Sequence, residues 1–360
     1  MKKIIITLLF VSAALFSCEK YESIKTQDTD YKKNFEHLWT LVDEQYCFLD
    51  YKNIDWDQVK EDFTPRVEAA QNEFEFFRIL SETLDILKDG HVWMISDFQA
   101  YSCKTFHYDE NGVRYPKNFN TSLLRQYMKD KELYTPIDSE VLYGLIEDGD
   151  RTYVYIYYSE FAGDWSNNTY YYVEQALKDA DGIIFDVRDN PGGDVEHCLN
   201  LASHFFTSKE LVGHTATKSG PGHNDFTEKK ALYVKPTKQH DWSSKPTILL
   251  TNRGVYSAAN FFTSILRYAP NVTQIGGKSG GGGAMPMTHY LPNGWLVVFP
   301  SNTLYDRDGI DIECGIDPDI LIDADAEMAN GRDIIIERAI EELRKKYSTL
   351  STSLGCVNTC

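Results

Sequence analysis

The chain is poor in positive charge and in metal-type cysteine spacings. It has 36 lysines and arginines against 54 acidic residues, a net charge of −18, which argues against a nucleic-acid partner because a polyanion would be repelled. The seven cysteines include no pair with the two-residue spacing of many zinc sites, so we expect no metal. Beyond residue 16 no apolar run is long enough for a membrane helix.

The first 18 residues have the pattern of an export signal. Lys2 and Lys3 precede an apolar run from Ile4 to Phe16, which has the length of a signal-peptide core. The run ends at Leu-Phe-Ser-Cys18, which is similar to a bacterial lipobox. We therefore expect a signal peptide over 1–17, a lipid on Cys18, and an exported lipoprotein in the cell envelope, with the outer membrane favoured. The alternative is an ordinary signal peptide in which Cys18 is incidental.

The rest of the chain changes character twice. After a polar tether (18–30), apolar residues at helical spacing predict a helical domain over 31–90. The segment 91–150 has short strand-like runs between polar turns and reads as a β-rich connection. Strands and helices then alternate over 151–346, which predicts an α/β domain, and 347–360 is a tail. Six cysteines remain besides Cys18, so disulfides are permitted.

One strand–turn–helix segment could carry a nucleophile. The buried strand Thr247–Thr251 is followed by a turn and by Ser257, which would open a helix. A hydroxyl there lies near free amide groups and the positive end of the helix dipole, which favour a developing anion. A helix cap is the alternative role for Ser257.

A second turn could supply hydrogen-bond donors. The strand Gly182–Val187 ends at Arg-Asp-Asn-Pro-Gly192-Gly193, and such a turn exposes backbone amides in a cleft. The amides of Gly192 and Gly193, with that of Ala258, could form an oxyanion hole. An ordinary strand-to-helix turn is the alternative.

Five segments in order resemble the tail-specific (C-terminal processing) and tricorn-type serine peptidases. They are Leu87–His91 (LKDGH), Gly182–Gly193 (GIIFDVRDNPGG), Asn252–Phe262 (NRGVYSAANFF), Ile275–Gly283, and Ile312–Ile320 (IECGIDPDI). Asn260 stands where this family usually has Glu. The resemblance implies a crotonase-like (ClpP/crotonase-type ββα) core behind a small helical domain, and a peptide or protein substrate without a cofactor. The 91–150 interval is short for the PDZ domain that many members carry.

The resemblance also implies which residues do the chemistry. Some members pair Ser with a Lys in a glycine-rich loop, but a glycine stands at that place here, and Lys278 lies four positions too early. The tricorn-like branch uses a His and a Glu, whose positions match His91 and Glu313. We therefore expect Ser257 as nucleophile, His91 as general base and Glu313 orienting His91. Gly90 provides no serine before His91, where that branch often has one. A non-catalytic binding lipoprotein and an esterase-type hydrolase remain alternatives.

Overall fold

The computed structural model describes residues 28–103, 119–137, 139–237, 239–322 and 330–355, with side chains up to residue 346. Cys18, Cys356 and Cys360 lie outside the described residues. The helices are α1 Tyr31–Gln45, α2 Trp56–Ala69, α3 Glu73–Asp85, α4 Asn167–Leu177, α5 Val195–Ala202, α6 Ala258–Leu266 and α7 Ile334–Gly355. The strands are β1 Trp93–Ile95, β2 Ala100–Ser102, β3 Val141–Asp148, β4 Arg151–Tyr158, β5 Gly182–Asp186, β6 Glu210–Thr217, β7 Lys230–Val234, β8 Thr247–Thr251, β9 Val272–Gly276, β10 Pro286–Tyr290, β11 Leu296–Pro300, β12 Asn302–Asp306 and β13 Ile320–Leu321.

The three N-terminal helices begin at side-chain caps. Asp30, Asp55 and Asn72 each accept a hydrogen bond from the backbone amide three residues later, which satisfies one of the free N–H groups at a helix start. The inner faces of these helices meet in a core that also contains strand residues from a four-stranded antiparallel sheet. That sheet has the order β10-β11-β1-β2, so it joins strands far apart in sequence.

A six-stranded sheet of order β13-β9-β8-β5-β4-β3 forms the centre of the α/β part. The strands run parallel except for β3, which pairs antiparallel with β4. Every residue of β5 and β8 is buried, because helices cover both faces: α4, α5 and α6 contribute to the core on one side and α7 to that on the other. A third, antiparallel sheet has the order β12-β6-β7.

This architecture confirms the predicted α/β class with a preceding helical region. The division of the chain at residues 90, 150 and 346 stays a prediction, since α1–α3 share their core with strands from both later segments. Among the described helices, none has the length and apolar character needed to cross a bilayer.

Candidate active site

Ser257 lies at the junction of β8 and α6 in an unusual backbone conformation. The strand ends at Thr251, and the Asn252 side-chain oxygen then accepts hydrogen bonds from the amides of Asp189 (2.9 Å) and Gly254 (3.0 Å), which shapes the turn. Ser257 has φ 54° and ψ −124°, a region that costs about 1–3 kcal/mol and persists only where the surroundings impose it. Its side chain makes no capping hydrogen bond to α6. The Ser257 hydroxyl therefore does not cap α6.

The hydroxyl of Ser257 meets His91 instead. The distance from His91 Nε2 to Ser257 Oγ is 3.0 Å, within hydrogen-bond range for a base and the proton it would take. His91 is buried, and burial, with the positive charge of Lys52, lowers its pKa below 6.5 although the Asp89 carboxylate opposes the shift. The imidazole is consequently neutral near pH 7, the form that accepts a proton.

Two amides beside Ser257 have no acceptor within the described part of the chain: those of Gly193 and Ala258. The Gly192 amide differs, because it donates to the side-chain oxygen of Asn190 at 2.9 Å. Gly192 nevertheless lies against the nucleophile, since a Cβ built on it would be 2.8 Å from Ser257 Cβ and 2.8 Å from the Ala258 nitrogen. Only a residue without a side chain fits there.

Glu313 does not contact His91. No hydrogen bond or ion pair joins the two side chains among the described residues. One Glu313 oxygen instead binds Lys52 Nζ (2.8 Å), and the other accepts from the Gly283 amide (2.9 Å). The expectation that Glu313 orients His91 stays a prediction, and a buried lysine from the helical region binds this carboxylate. Burial raises the Glu313 pKa to about 7, with Lys52 opposing and Asp89 adding to the shift.

The groups next to His91 Nδ1 are Asp89 and Tyr256. The Tyr256 hydroxyl is 3.4 Å from Nδ1, and Asp89 Oδ1 is 3.9 Å from it. Sequence reasoning assigned neither residue a role, although Asp89 stands in the LKDGH motif and Tyr256 directly precedes Ser257. Lys52 had no local sequence signal at all, because its place in the site arises from helix packing.

The two departures from the family pattern are also explained by contacts. Asn260 is buried and ties α6 to two loops, since its amide nitrogen donates to the Ile312 carbonyl (3.0 Å) and its oxygen accepts from Ser279 Oγ (2.6 Å). Lys278 is half-exposed and lies 3.8 Å from Asp317. It forms no part of the group around Ser257.

No three His, Cys, Asp or Glu side chains of the described residues are grouped as a metal site would require. The free thiols of Cys47 and Cys198 are buried, and that of Cys314 is exposed. The site therefore consists of a hydroxyl, an imidazole, two open amides and a buried charged cluster.

Comparisons with known proteins identify two family models that match this chain. The model of peptidase family S41 matches residues 152–322, and that of the tricorn protease C1 domain matches residues 27–85. A crystal structure of a proposed peptidase from Parabacteroides merdae ATCC 43184 is 36% identical, with a TM-score of 0.79 over 88% of this chain and 97% of that one. Mature CPAF is 11% identical and shares the fold, with a TM-score of 0.63 over 92% and 98% of the two chains.

A sequence relative is known from Staphylococcus aureus (strain bovine RF122 / ET3-1). It is a probable CtpA-like serine protease that is 30% identical over 168 residues, 46% of this chain. The matched part spans only 32% of that relative's length, so the similarity is confined to a portion of it. Together with the P. merdae structure, which the chain matches over nearly its whole length, these findings show that the chain belongs to peptidase family S41, the family of the tail-specific, C-terminal processing serine proteases.

Proposed function

We propose that this chain is a serine peptidase that hydrolyses peptide bonds of peptides or proteins through an acyl-enzyme on Ser257. The observation that carries the proposal is the 3.0 Å contact between Ser257 Oγ and His91 Nε2, made by a serine in a strained conformation at a helix start. His91 takes the hydroxyl proton as Oγ attacks the carbonyl carbon and returns it to the leaving amine nitrogen.

The open amides of Gly193 and Ala258 would hold the negative oxygen that forms in this step. Gly192 contributes differently from the sequence expectation, since its amide is engaged by Asn190. It leaves room for the oxyanion beside the Ala258 nitrogen. The water that hydrolyses the acyl-enzyme would be activated by the same His91. This reaction requires no metal or organic cofactor.

We also propose that the chain acts outside the cytoplasm. The support is the sequence pattern of residues 1–18, in which a lysine pair and an apolar run lead to Cys18. A lipid on Cys18 would hold the enzyme at the cell envelope, and its substrates would be exported proteins or peptides.

The test is covalent labelling with a fluorophosphonate probe, followed by hydrolysis of an unfolded protein such as casein. We expect wild type to label and to cleave, and both Ser257→Ala and His91→Ala to lose labelling, with turnover falling by roughly 10³-fold or more. The exposed Ser208→Ala is the matched control and should behave as wild type.

The two assays separate the possible outcomes. Absence of labelling in a folded wild type would overturn the proposal and favour a binding protein on this scaffold. If the wild type is labelled and cleaves small esters but no peptide, the proposed function changes from peptidase to esterase.

A further inference from the structure

Nδ1 of His91 faces a hydroxyl that itself binds a carboxylate. Tyr256 Oη lies 3.4 Å from Nδ1 and 3.2 Å from Asp89 Oδ1. An ionised carboxylate can only accept, so Tyr256 donates to Asp89 and keeps a lone pair for the Nδ1 proton. With the proton on Nδ1, Nε2 is free to accept from Ser257 Oγ at 3.0 Å. We propose that Tyr256 and Asp89, and not Glu313, are the residues that position His91 for catalysis, with the Tyr256 hydroxyl linking the imidazole to the Asp89 carboxylate.

Asp89 and Tyr256 each hold His91 in a second way. Asp89 Oδ1 also accepts from the backbone amide of His91 at 2.8 Å, which fixes the turn that carries the ring. The rings of His91 and Tyr256 pack with centroids 4.7 Å apart. Because Tyr256 directly precedes the nucleophile, one short segment places both Oγ and the hydroxyl that faces Nδ1. Gly90 could provide no such hydroxyl.

The buried charge of Asp89 is compensated on the side away from His91. Its Oδ2 accepts from the Tyr46 hydroxyl at 2.8 Å and lies 3.2 Å from Lys52 Nζ. Burial alone would raise the Asp89 pKa, but Lys52, followed by His91 and the hydrogen bonds, brings it below its usual value. Asp89 is therefore ionised at neutral pH.

Lys52 lies between Glu313 and Asp89. Its Nζ is 2.8 Å from Glu313 Oε1 and 3.2 Å from Asp89 Oδ2, so it bridges the two carboxylates. Among the described residues, the charged and titratable groups of this cluster include Asp89, Tyr256, Lys52, Glu313 and Tyr46. Of these, Tyr256 lies 3.4 Å and Asp89 3.9 Å from Nδ1 of the His91 ring.

The proton balance of this arrangement is simple, and it rests on the proposed peptidase function. The Ser257 proton moves to Nε2 as the Oγ–carbon bond forms, and the imidazolium then gives it to the leaving amine. Tyr256 keeps its proton throughout, because burial and then the Asp89 charge raise its pKa well above 10. Asp89 stays ionised and stabilises the transient positive charge on His91.

The experiment compares four variants by fluorophosphonate labelling rate and by kcat and KM on a peptide substrate. Tyr256→Phe keeps the ring and removes the hydroxyl, and should lower kcat about 10- to 100-fold with KM unchanged. Asp89→Asn keeps an acceptor for the His91 amide and should cost about 10³- to 10⁴-fold, the loss expected when the imidazole is held in the wrong tautomer. Glu313→Gln should cost less than about tenfold, since its charge is screened by Lys52.

Tyr101→Phe is the matched control. It also removes a tyrosine hydroxyl that donates to a carboxylate, that of Asp85 at 2.7 Å, but this pair lies outside the group around His91. A structural effect would lower stability and activity alike in both tyrosine variants, whereas a positioning effect lowers kcat in Tyr256→Phe alone. Thermal unfolding establishes that each variant is folded, and if Asp89→Asn does not fold, the two tyrosine variants decide.

The pH dependence of kcat/KM provides a further measurement, because structural damage alone would not shift its acid limb. Asp89 raises the pKa of His91 against burial, so its loss should shift the acid limb of kcat/KM to lower pH in Asp89→Asn. Wild-type rates in Tyr256→Phe, or a larger loss in Glu313→Gln than in Asp89→Asn, would overturn this proposal alone. Failure of wild type to label would instead overturn the proposed peptidase function.

Discussion

At the scale of single residues, Gly192 is the position where the smallest change should have the largest effect. Its φ is 103°, and an added Cβ would lie 2.7 Å from the Tyr256 carbonyl oxygen and 2.8 Å from the Ala258 nitrogen. A methyl group there would push apart the nucleophile turn and cover an amide that we assign to the oxyanion.

We therefore expect Gly192→Ala to lower the fluorophosphonate labelling rate by about 10²-fold or more, the cost of losing one oxyanion donor. Gly163→Ala is the control, because Gly163 lies in a nearby loop and an added Cβ meets nothing within 4 Å. Equal labelling rates of the two variants would show that the close packing of Gly192 against the Ser257 turn does not affect the reactivity of the serine.

The sequence motifs were sufficient to predict His91 and Ser257, which contact each other. They were insufficient to predict the residues that support this pair. The His91–Ser257 contact joins two positions that had been predicted from motifs as base and nucleophile. Glu313 was predicted to orient His91, and its carboxylate also binds Lys52, 261 positions away in a helical region. Such a contact depends on how elements pack, which no local pattern records.

At the scale of elements, the buried strands of the six-stranded sheet were predicted from their apolar runs. The strand Thr247–Thr251 was predicted with its observed bounds, since all five residues are buried. Strands β6, β7, β10, β11 and β12 went unpredicted. In β7 and β10 most residues are exposed or half-exposed and show no alternation. Each of these two pairs antiparallel with its neighbour along the chain, β6 and β11.

The turn that carries Gly192 and Gly193 is held by a buried ion-pair network. Arg188 is fully buried and lies between Asp186, at the end of β5, and Asp333, just before α7, with nitrogen–oxygen distances of 2.6 and 2.9 Å. Breaking a buried pair by removing one partner costs more than the pair contributes, because charges are left without compensation.

We expect Arg188→Leu to lower the free energy of unfolding by about 3–5 kcal/mol and to slow labelling, because Gly192 lies four residues further on. Arg344→Leu is the control, since it breaks a partly exposed pair between Arg344 on α7 and Asp148 at the end of β3, which is worth less than about 1 kcal/mol. Urea denaturation measures both. Similar losses of unfolding free energy in the two variants would show that the buried Arg188 network contributes no more to stability than the partly exposed pair.

At the scale of the whole molecule, the site forms where the helical region meets the α/β part. Asp89 and Lys52 come from the first, His91 directly follows it, and Ser257 comes from the second, so any loosening of this contact separates base from nucleophile. A surface contact spans the same boundary. His223, between β6 and β7, lies 2.9 Å from Asp43 on α1 and 2.7 Å from Asp50 in the turn that follows.

This contact should depend on pH with a defined sign. The hydrogen bond to Asp43, the largest cause, raises the pKa of His223 above 6.5, with Asp50 adding to it and partial burial opposing. A raised histidine pKa stabilises the fold below the unfolded value of about 6.5, and the contribution is lost as pH rises through the folded value. The neighbouring Lys218 donates to the His223 carbonyl oxygen at 3.1 Å.

His223→Gln should therefore lower the free energy of unfolding at pH 6, by about 1–2 kcal/mol for two partly exposed pairs, and change it little at pH 9. Urea denaturation at the two pH values measures this, and His37→Gln, an exposed histidine on α1, is the control. The labelling rate should follow the same pH trend in the variant, because the helical region that leads into His91 is then held less firmly. An equal loss of stability at both pH values would mean that His223 acts by packing, and that the charge on the imidazole does not join the two parts of the site.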